Sequence, residues 1–336
     1  MIERLLASAE PHLGSRPVLV RVDERRHSRI LHVGVETGGT LRRLVIKQVR
    51  TEGNDDAARE RAVGRVEAEY AALRRIDGGF DPGERFIRVR PVACLPEHAA
   101  LVMEEAPGEP FNRLIGRLGR GWPRSGSRAR LEELCRLAGD WLGRFQAFTT
   151  AAEDPTPHLA ALRSEVSGSL RSLVARRRVG IPESLAGALE SFVDRAAGGA
   201  PPAAVAVAGM TGEFCPANIL VDGPRLAVLD FGLYGPGLAL NDLVLFHHHL
   251  ESLRYDPLTR RATMRRLQAA FLQGYGRPEL QTEPLFDAFR VKFKLSRMDA
   301  TSGRKWPGLD PARRLFYRRV WRLQQRELAA ILTAHG

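Results

Sequence analysis

Residues 211–232 read TGEFCPANILVDGPRLAVLDFG, and no other stretch limits the fold of the chain so sharply. Apolar runs at 219–221 and 227–229 flank an Asp-Gly-Pro turn, the pattern of a β-hairpin. Such a hairpin carries Asn218, just before its first strand, and Asp230, just after its second, to one end of a sheet. Two oxygen donors converging there suit Mg²⁺, which prefers hard oxygen ligands and leaves most of its shell to phosphate and water. Glu213 lies five positions before Asn218. A carboxylate, an amide and a second carboxylate in this order meet the needs of a phosphoryl-transfer site, with one acid for the attacking group and two metal ligands.

A second signal lies upstream in residues 44–49, LVIKQV. The chain has four lysines (Lys47, Lys292, Lys294 and Lys305) among 51 basic residues, so a lysine on a short apolar strand is a selective choice. A compact ammonium on a flexible stem can reach nucleotide phosphates, and a carboxylate must hold it in place. The following helix, read over 62–76, offers that carboxylate. Its inward face is Val66, Tyr70, Leu73 and Ile76. Glu69 lies beside that stripe, and Glu67, on the opposite side, is the alternative.

These segments resemble the aminoglycoside phosphotransferase family, small-molecule kinases with a protein-kinase-like fold and a pattern of roughly HGDxxxxN followed by a DFG motif. Gly212, Asn218, Asp230, Phe231 and Gly232 match, whereas Thr211 stands at the His position and Glu213 at the Asp position. Glu keeps the charge and adds one methylene of reach, and the family admits it there. The order Lys47, Glu69, Glu213, Asn218, Asp230 follows the family across most of the chain. The resemblance implies an α+β, two-lobed protein-kinase-like fold, with a small β-rich lobe at 1–105 for nucleotide and a larger, mostly helical lobe at 106–336 for catalysis and substrate. It further implies ATP and Mg²⁺ as cofactors. Lys47 is expected on the α/β-phosphates with Glu69 holding it, Asn218 and Asp230 on the metal, and Glu213 on the acceptor hydroxyl.

The phosphate-covering loop departs from the kinase pattern. Residues 22–30, between strands read at 18–22 and 30–35, contain no glycine; Ser28 takes the position where the family often has a serine. Arg25, Arg26 and Arg29 add positive charge that can replace part of a backbone cradle. Residues 103–110, MEEAPGEP, read as a hinge in which Glu104, Glu105 and Ala106 face the nucleobase by position.

The remaining organisation follows from periodicity and punctuation. A leading helix at 2–9 and strands at 85–92 and 100–103 complete the small lobe, and helices at 128–148, 159–178 and 183–197 begin the large one. Asp242 opens an apolar helix, where bracing of the catalytic loop, implied by the resemblance, and N-capping by Asn241 or Asp242 are both open. His247, His248 and His249 point in different directions on that helix and cannot share one metal. Residues 304–326 read as a basic helix with Leu315, Phe316, Val320 and Leu323 as its core stripe.

Composition bounds location and partners. Three isolated cysteines, Cys94, Cys135 and Cys215, without CxxC spacing argue for a reducing compartment and against a zinc site. No signal-peptide pattern opens the chain, and no apolar run approaches the ~20 residues of a membrane span, so a cytoplasmic location is expected. The net charge of +12 favours anionic partners, but no recognition module for nucleic acid is present. The expected acceptor is a small-molecule hydroxyl, neutral or anionic, such as a sugar or polyol, because the arginine-rich segment 255–335 suits a cationic antibiotic poorly. A nucleotide-binding pseudokinase is the competing expectation, resting on Thr211, Glu213 and the glycine-free loop.

Overall fold

The computed structural model describes residues 2–25, 27–51, 55–81, 83–121, 124–176, 181–302 and 310–335. The chain divides into two compact units that interleave in sequence, one formed by 1–114 with 211–235 and the other by 115–210 with 236–336. The catalytic hairpin thus belongs to the same unit as the N-terminal sheet.

In the first unit, α1 (Ile2–Leu13) precedes β1 (Val18–Glu24), β2 (Ser28–Thr37), β3 (Thr40–Val49), α2 (Asp56–Gly79), β4 (Pro91–Leu95) and β5 (Ala100–Glu104). The strands form one antiparallel sheet in the order β1-β2-β3-β5-β4. Alternation assigns its two faces. Leu31, Val33, Val35, Leu44 and Ile46 point inward and are buried with Leu5, Leu6, Ala9 and Leu13 of α1, whose spacing puts them on one side of that helix. Ile30, His32, Val45 and Lys47 therefore share the opposite face. Asp55 caps α2, its carboxylate accepting the Ala58 amide at 2.7 Å.

The strand expected at 85–92 is shifted. Only residues from Pro91 onward pair with β5, consistent with a proline, which has no N–H, opening the strand. Residues 85–87 instead run beside the catalytic hairpin, the Ile87 amide donating to the Leu226 carbonyl at 2.7 Å. That hairpin is β8 (Ile219–Asp222) and β9 (Arg225–Val228), flanked by the short β6 (Glu109–Pro110); β7 (Val207–Met210) falls in the other unit.

The second unit is mainly helical: the end of α3 (Phe111–Leu118), then α4 (Ser125–Thr149), α5 (Thr156–Val174), α6 (Glu183–Gly198), β7 paired with β10 (Gly235–Leu238), α7 (Leu240–Leu253), α8 (Arg261–Tyr275), α9 (Pro284–Ser302) and α10 (Pro311–Ala334). The expected apolar face of α4, from Leu131 through Phe145, is buried, and this helix lies along α8.

Two expectations for this unit are corrected. Val320 of the expected stripe is buried, but Leu315 and Phe316 are 71% and 40% exposed and Leu323 is only partly buried; the inward face of α10 is Val320, Trp321, Gln324, Leu328 and Ile331, turned from the expected stripe toward Trp321 and Gln324. The helix starts at Pro311, capped by Asp310, and residues 303–309 of the basic segment lie outside the described residues. Neither Asn241 nor Asp242 caps α7: both lie inside its first turn, and Asn241 accepts from Lys292 at 3.0 Å. His247 and His248 are buried, and desolvation pushes them down to about 3 and about 4, so both are neutral core groups at neutral pH.

A buried ionic cluster joins α7, α9 and α10. Glu251 meets Lys294 at 3.0 Å, Arg254 at 2.9 Å and Arg290 at 2.7 Å, and Lys294, with no exposed side-chain surface, also reaches Glu327 at 2.7 Å. Burial alone raises a carboxyl, but His248 and these three cations hold Glu251 well below the usual carboxylate range. Among the described residues no helix is long and apolar enough to cross a membrane.

Candidate active site

The hairpin register explains how the site assembles. Ile219 pairs with Val228, and one step further the Leu229 amide donates to the Asn218 carbonyl at 2.8 Å, so Asn218 and Asp230 emerge together from the open end. The closed end is a tight Gly223-Pro224 turn between Asp222 and Arg225. Asp230 has φ 68°, the left-handed region that costs a non-glycine residue on the order of 1–3 kcal/mol and that Asp tolerates better than most. A strained acid held at the end of a sheet marks a position fixed by its surroundings. Before it, Gly212 has φ 79°, and a Cβ there would lie 2.6 Å from Cβ of Leu233, so the loop carrying Glu213 closes only with glycine.

Lys47 bridges the two parts of the unit. Its Nζ donates to both carboxylate oxygens of Glu69 at 2.9 Å and to Oδ1 of Asp230 at 2.6 Å. Glu69 is 2% exposed and also accepts the Phe231 amide, whereas Glu67 is exposed on the other side of α2. Burial alone would lower the Lys47 pKa, but the charges of Glu69 and Asp230 outweigh it and raise it, so the ammonium persists through neutral pH. Asn218 donates through Nδ2 to the Glu213 carbonyl at 3.1 Å, which leaves its Oδ1 as an acceptor, and Lys47 occupies only Oδ1 of Asp230. An amide oxygen and a carboxylate oxygen fit Mg²⁺, which takes few protein ligands.

Two adjoining cavities meet at this cluster. The first, about 390 Å³, has apolar walls from Ile30, Val45, Met103, Leu220 and Leu229 and a size suited to a small-molecule ligand. Ser28, Lys47, Glu69, Glu104, Glu105, Ala106, Asn218 and Asp230 all border it. The second, about 460 Å³, shares Ser28, Lys47, Glu69 and Asp230 with the first and is where Glu213 opens. Glu213 is exposed overall, yet desolvation at the cavity edge and the nearby Asp230 charge raise its carboxyl, with Lys47, Arg65 and His27 pulling the other way.

Some features escape sequence reasoning. The hinge side chains are tied back to the sheet, Glu105 to His32 Nδ1 at 2.6 Å and Glu104 to Arg42 at 3.0 Å. Arg65, four residues before Glu69 on α2, borders the Glu213 cavity, and that spacing is the signal that could have found it. Arg26 lies outside the described residues.

A small antiparallel sheet with its helix, a hairpin carrying Asn218 and Asp230, and a mainly helical remainder make this a protein-kinase-like fold. The chain belongs to the phosphotransferase enzyme family, whose model matches residues 31–288. It is a phosphotransferase. Among solved structures the fold is similar to a thermostable mutant of aminoglycoside phosphotransferase APH(4)-Ia in ternary complex with ADP and hygromycin B (TM-score 0.59, 14% identity, 98% of each chain covered). It is similar also to choline kinase from Cryptosporidium parvum Iowa II (TM-score 0.58, 10% identity, 98% of this chain and 95% of that one). A choline/ethanolamine kinase family protein from Mesorhizobium loti shows the same likeness (TM-score 0.53, 16% identity, 98% of each chain). At these identities the likeness is one of fold. No curated protein matches the chain in sequence.

Proposed function

We propose that this phosphotransferase moves the γ-phosphoryl group of ATP to a hydroxyl of a small neutral or anionic molecule such as a sugar or polyol. The observation that carries this reading is Lys47 held between Glu69 and Asp230 at the junction of two cavities, one apolar and hinge-lined, the other opening on Glu213. In this reading residues 1–105 bind nucleotide, and the catalytic and acceptor-binding groups come from 106–336. The Glu104–Glu105–Ala106 hinge with Val45 and Leu220 would hold the base, Ser28 and Lys47 would meet the phosphates, and Glu69 keeps Lys47 in place. Asn218 and Asp230 would hold Mg²⁺, which when bound would neutralise charge on the phosphate oxygens. Glu213 accepts the proton of the acceptor hydroxyl as the new O–P bond forms, the β,γ-bridging O–P bond breaks, and ADP leaves with that electron pair. Because this transition state is loose, positioning and charge neutralisation matter more than the strength of the base.

The acceptor class follows from charge. The Glu213 cavity is lined by Arg25, Lys47 and Arg65 against Glu69, Glu213 and Asp230, so it carries no acidic excess to attract a polycationic antibiotic and tolerates neutral or anionic ligands. Three unpaired cysteines, with Cys135 buried and its thiol raised by desolvation, support a reducing cytoplasm as the setting. The test is ADP release from Mg·ATP in the presence of a panel of sugars, polyols, their phosphorylated and uronate forms, and kanamycin. Acceptor-dependent release with a sugar or polyol supports the proposal. Nucleotide binding without turnover on any acceptor replaces it with the pseudokinase reading, and strong turnover of kanamycin refutes the charge argument.

A further inference from the structure

The turn between β1 and β2 departs from a glycine-rich phosphate loop. It contains no glycine, and the Arg25 amide is taken by the Ser28 carbonyl at 2.9 Å. One backbone donor that could approach a transferring phosphoryl group is thus closed on the hairpin itself. The charge developing on that group must then meet side chains.

Lys47 is poorly placed to do this alone, because Glu69 and Asp230 already share its ammonium at 2.9 and 2.6 Å. The cavity that opens on Glu213 holds two further permanent cations, Arg25 and Arg65. Neither has an ion-pair partner within 4 Å among the described residues, so both guanidinium charges are available to a ligand. Arg65 is the better anchored. It stands one helical turn before Glu69 on the same side of α2, and Glu69 is fixed to Lys47 through both oxygens, so that side of the helix is locked against the site. Arg65 is also exposed at its own position, so no packing role in the core accounts for it.

Resting on the ATP-phosphotransfer reading above, we infer that Arg65 is a further catalytic residue: its guanidinium contacts the γ-phosphoryl oxygens and neutralises their charge during transfer, in place of the missing backbone cradle. A planar guanidinium suits this task, since its fork of N–H donors can meet two phosphoryl oxygens at once. It acts on the γ-phosphate and not on the part of the nucleotide that ADP retains.

That last property sets the experiment. Wild type, Arg65→Ala and Arg65→Lys are compared for binding of Mg·ADP and of the β,γ-imido analogue of Mg·ATP, and for acceptor-independent ADP release from Mg·ATP. Arg65→Ala is expected to keep the wild-type melting temperature and ADP affinity, to lose about tenfold in affinity for the imido analogue, and to lose on the order of 10²-fold in ADP release, as for removal of one transition-state donor. Arg65→Lys, a point charge without the fork, is expected to recover part of both. Equal losses for ADP and the analogue, or unchanged binding and ADP release in Arg65→Ala, overturn the inference while ATP binding by the wild type leaves the phosphotransfer reading standing. Failure of the wild type to bind either nucleotide overturns both.

Discussion

Replacing Asp230 by Asn separates the charge of this side chain from its backbone conformation. Asn tolerates the left-handed region as Asp does, so φ 68° is kept, whereas Asp230→Ala would mix loss of charge with strain. In the ligand-free protein the cost is small. Lys47 retains both oxygens of Glu69, and the lost contact involves a carboxylate 32% exposed, which screening limits to about 1 kcal/mol or less. The Mg·ATP complex is where the change is felt. A ligand at 100 times its Kd stabilises a protein by about 2.7 kcal/mol. At roughly 2–4 °C per kcal/mol for a domain of 150–250 residues, this raises the melting temperature by about 5–10 °C. Thermal melts with Mg·ATP, with ATP plus EDTA, and without ligand are expected to show a metal-dependent part of that shift in wild type and none in Asp230→Asn. A metal-dependent shift of equal size in the variant refutes the assignment of Asp230 to Mg²⁺. A fall of more than about 5 °C in the ligand-free variant would show instead that Asp230 serves mainly the fold.

Glu251→Leu leaves Lys294, Arg254 and Arg290 without their shared carboxylate and is expected to cost about 3–5 kcal/mol, whereas Lys294→Met leaves Glu251 two arginines and should cost clearly less; urea unfolding of both variants checks the order, and equal costs would contradict it. Acid should destabilise the protein early. His247 and His248 are held neutral, down to about 3 and about 4, so the unfolded chain binds more protons from about pH 6.5 downward and stability falls by up to ~1.4 kcal/mol per pH unit for each. Urea midpoints between pH 7 and pH 4.5 measure this, and His247→Gln should flatten the slope.

The sequence reveals the site more fully than the surface of the fold. Hairpin β8–β9 is legible because its turn residues and two apolar runs are local, and its ends alone bring Asn218 and Asp230 together. Lys47 stands out through the scarcity of lysine, and Glu69 through its place beside a helical apolar stripe. The α10 stripe is misread because Leu315 and Phe316 are apolar but lie beyond the part of the helix that packs, which only long-range contacts decide. The position of β4 depends on which residues meet β5, and the His32–Glu105 bond joins positions 73 apart. Arg65 carries a local signal, its spacing from Glu69, yet its meaning depends on the shape of a cavity built from four separate segments.

The most direct measurement of the proposed chemistry is acceptor-dependent ADP release by Glu213→Gln as a function of pH. In the proposed reading Glu213 serves the acceptor hydroxyl and not the nucleotide, so the variant should bind Mg·ATP as wild type does while turnover falls roughly 10²–10⁴-fold. Burial and the Asp230 charge raise the Glu213 carboxyl, and an acid of raised pKa is a base only above that pKa. Wild-type turnover should therefore fall on the acid side with a midpoint above the usual carboxylate range, and that limb should vanish in the Gln variant. Equal turnover in wild type and Glu213→Gln, with the same pH profile, would contradict the role of Glu213 in transfer.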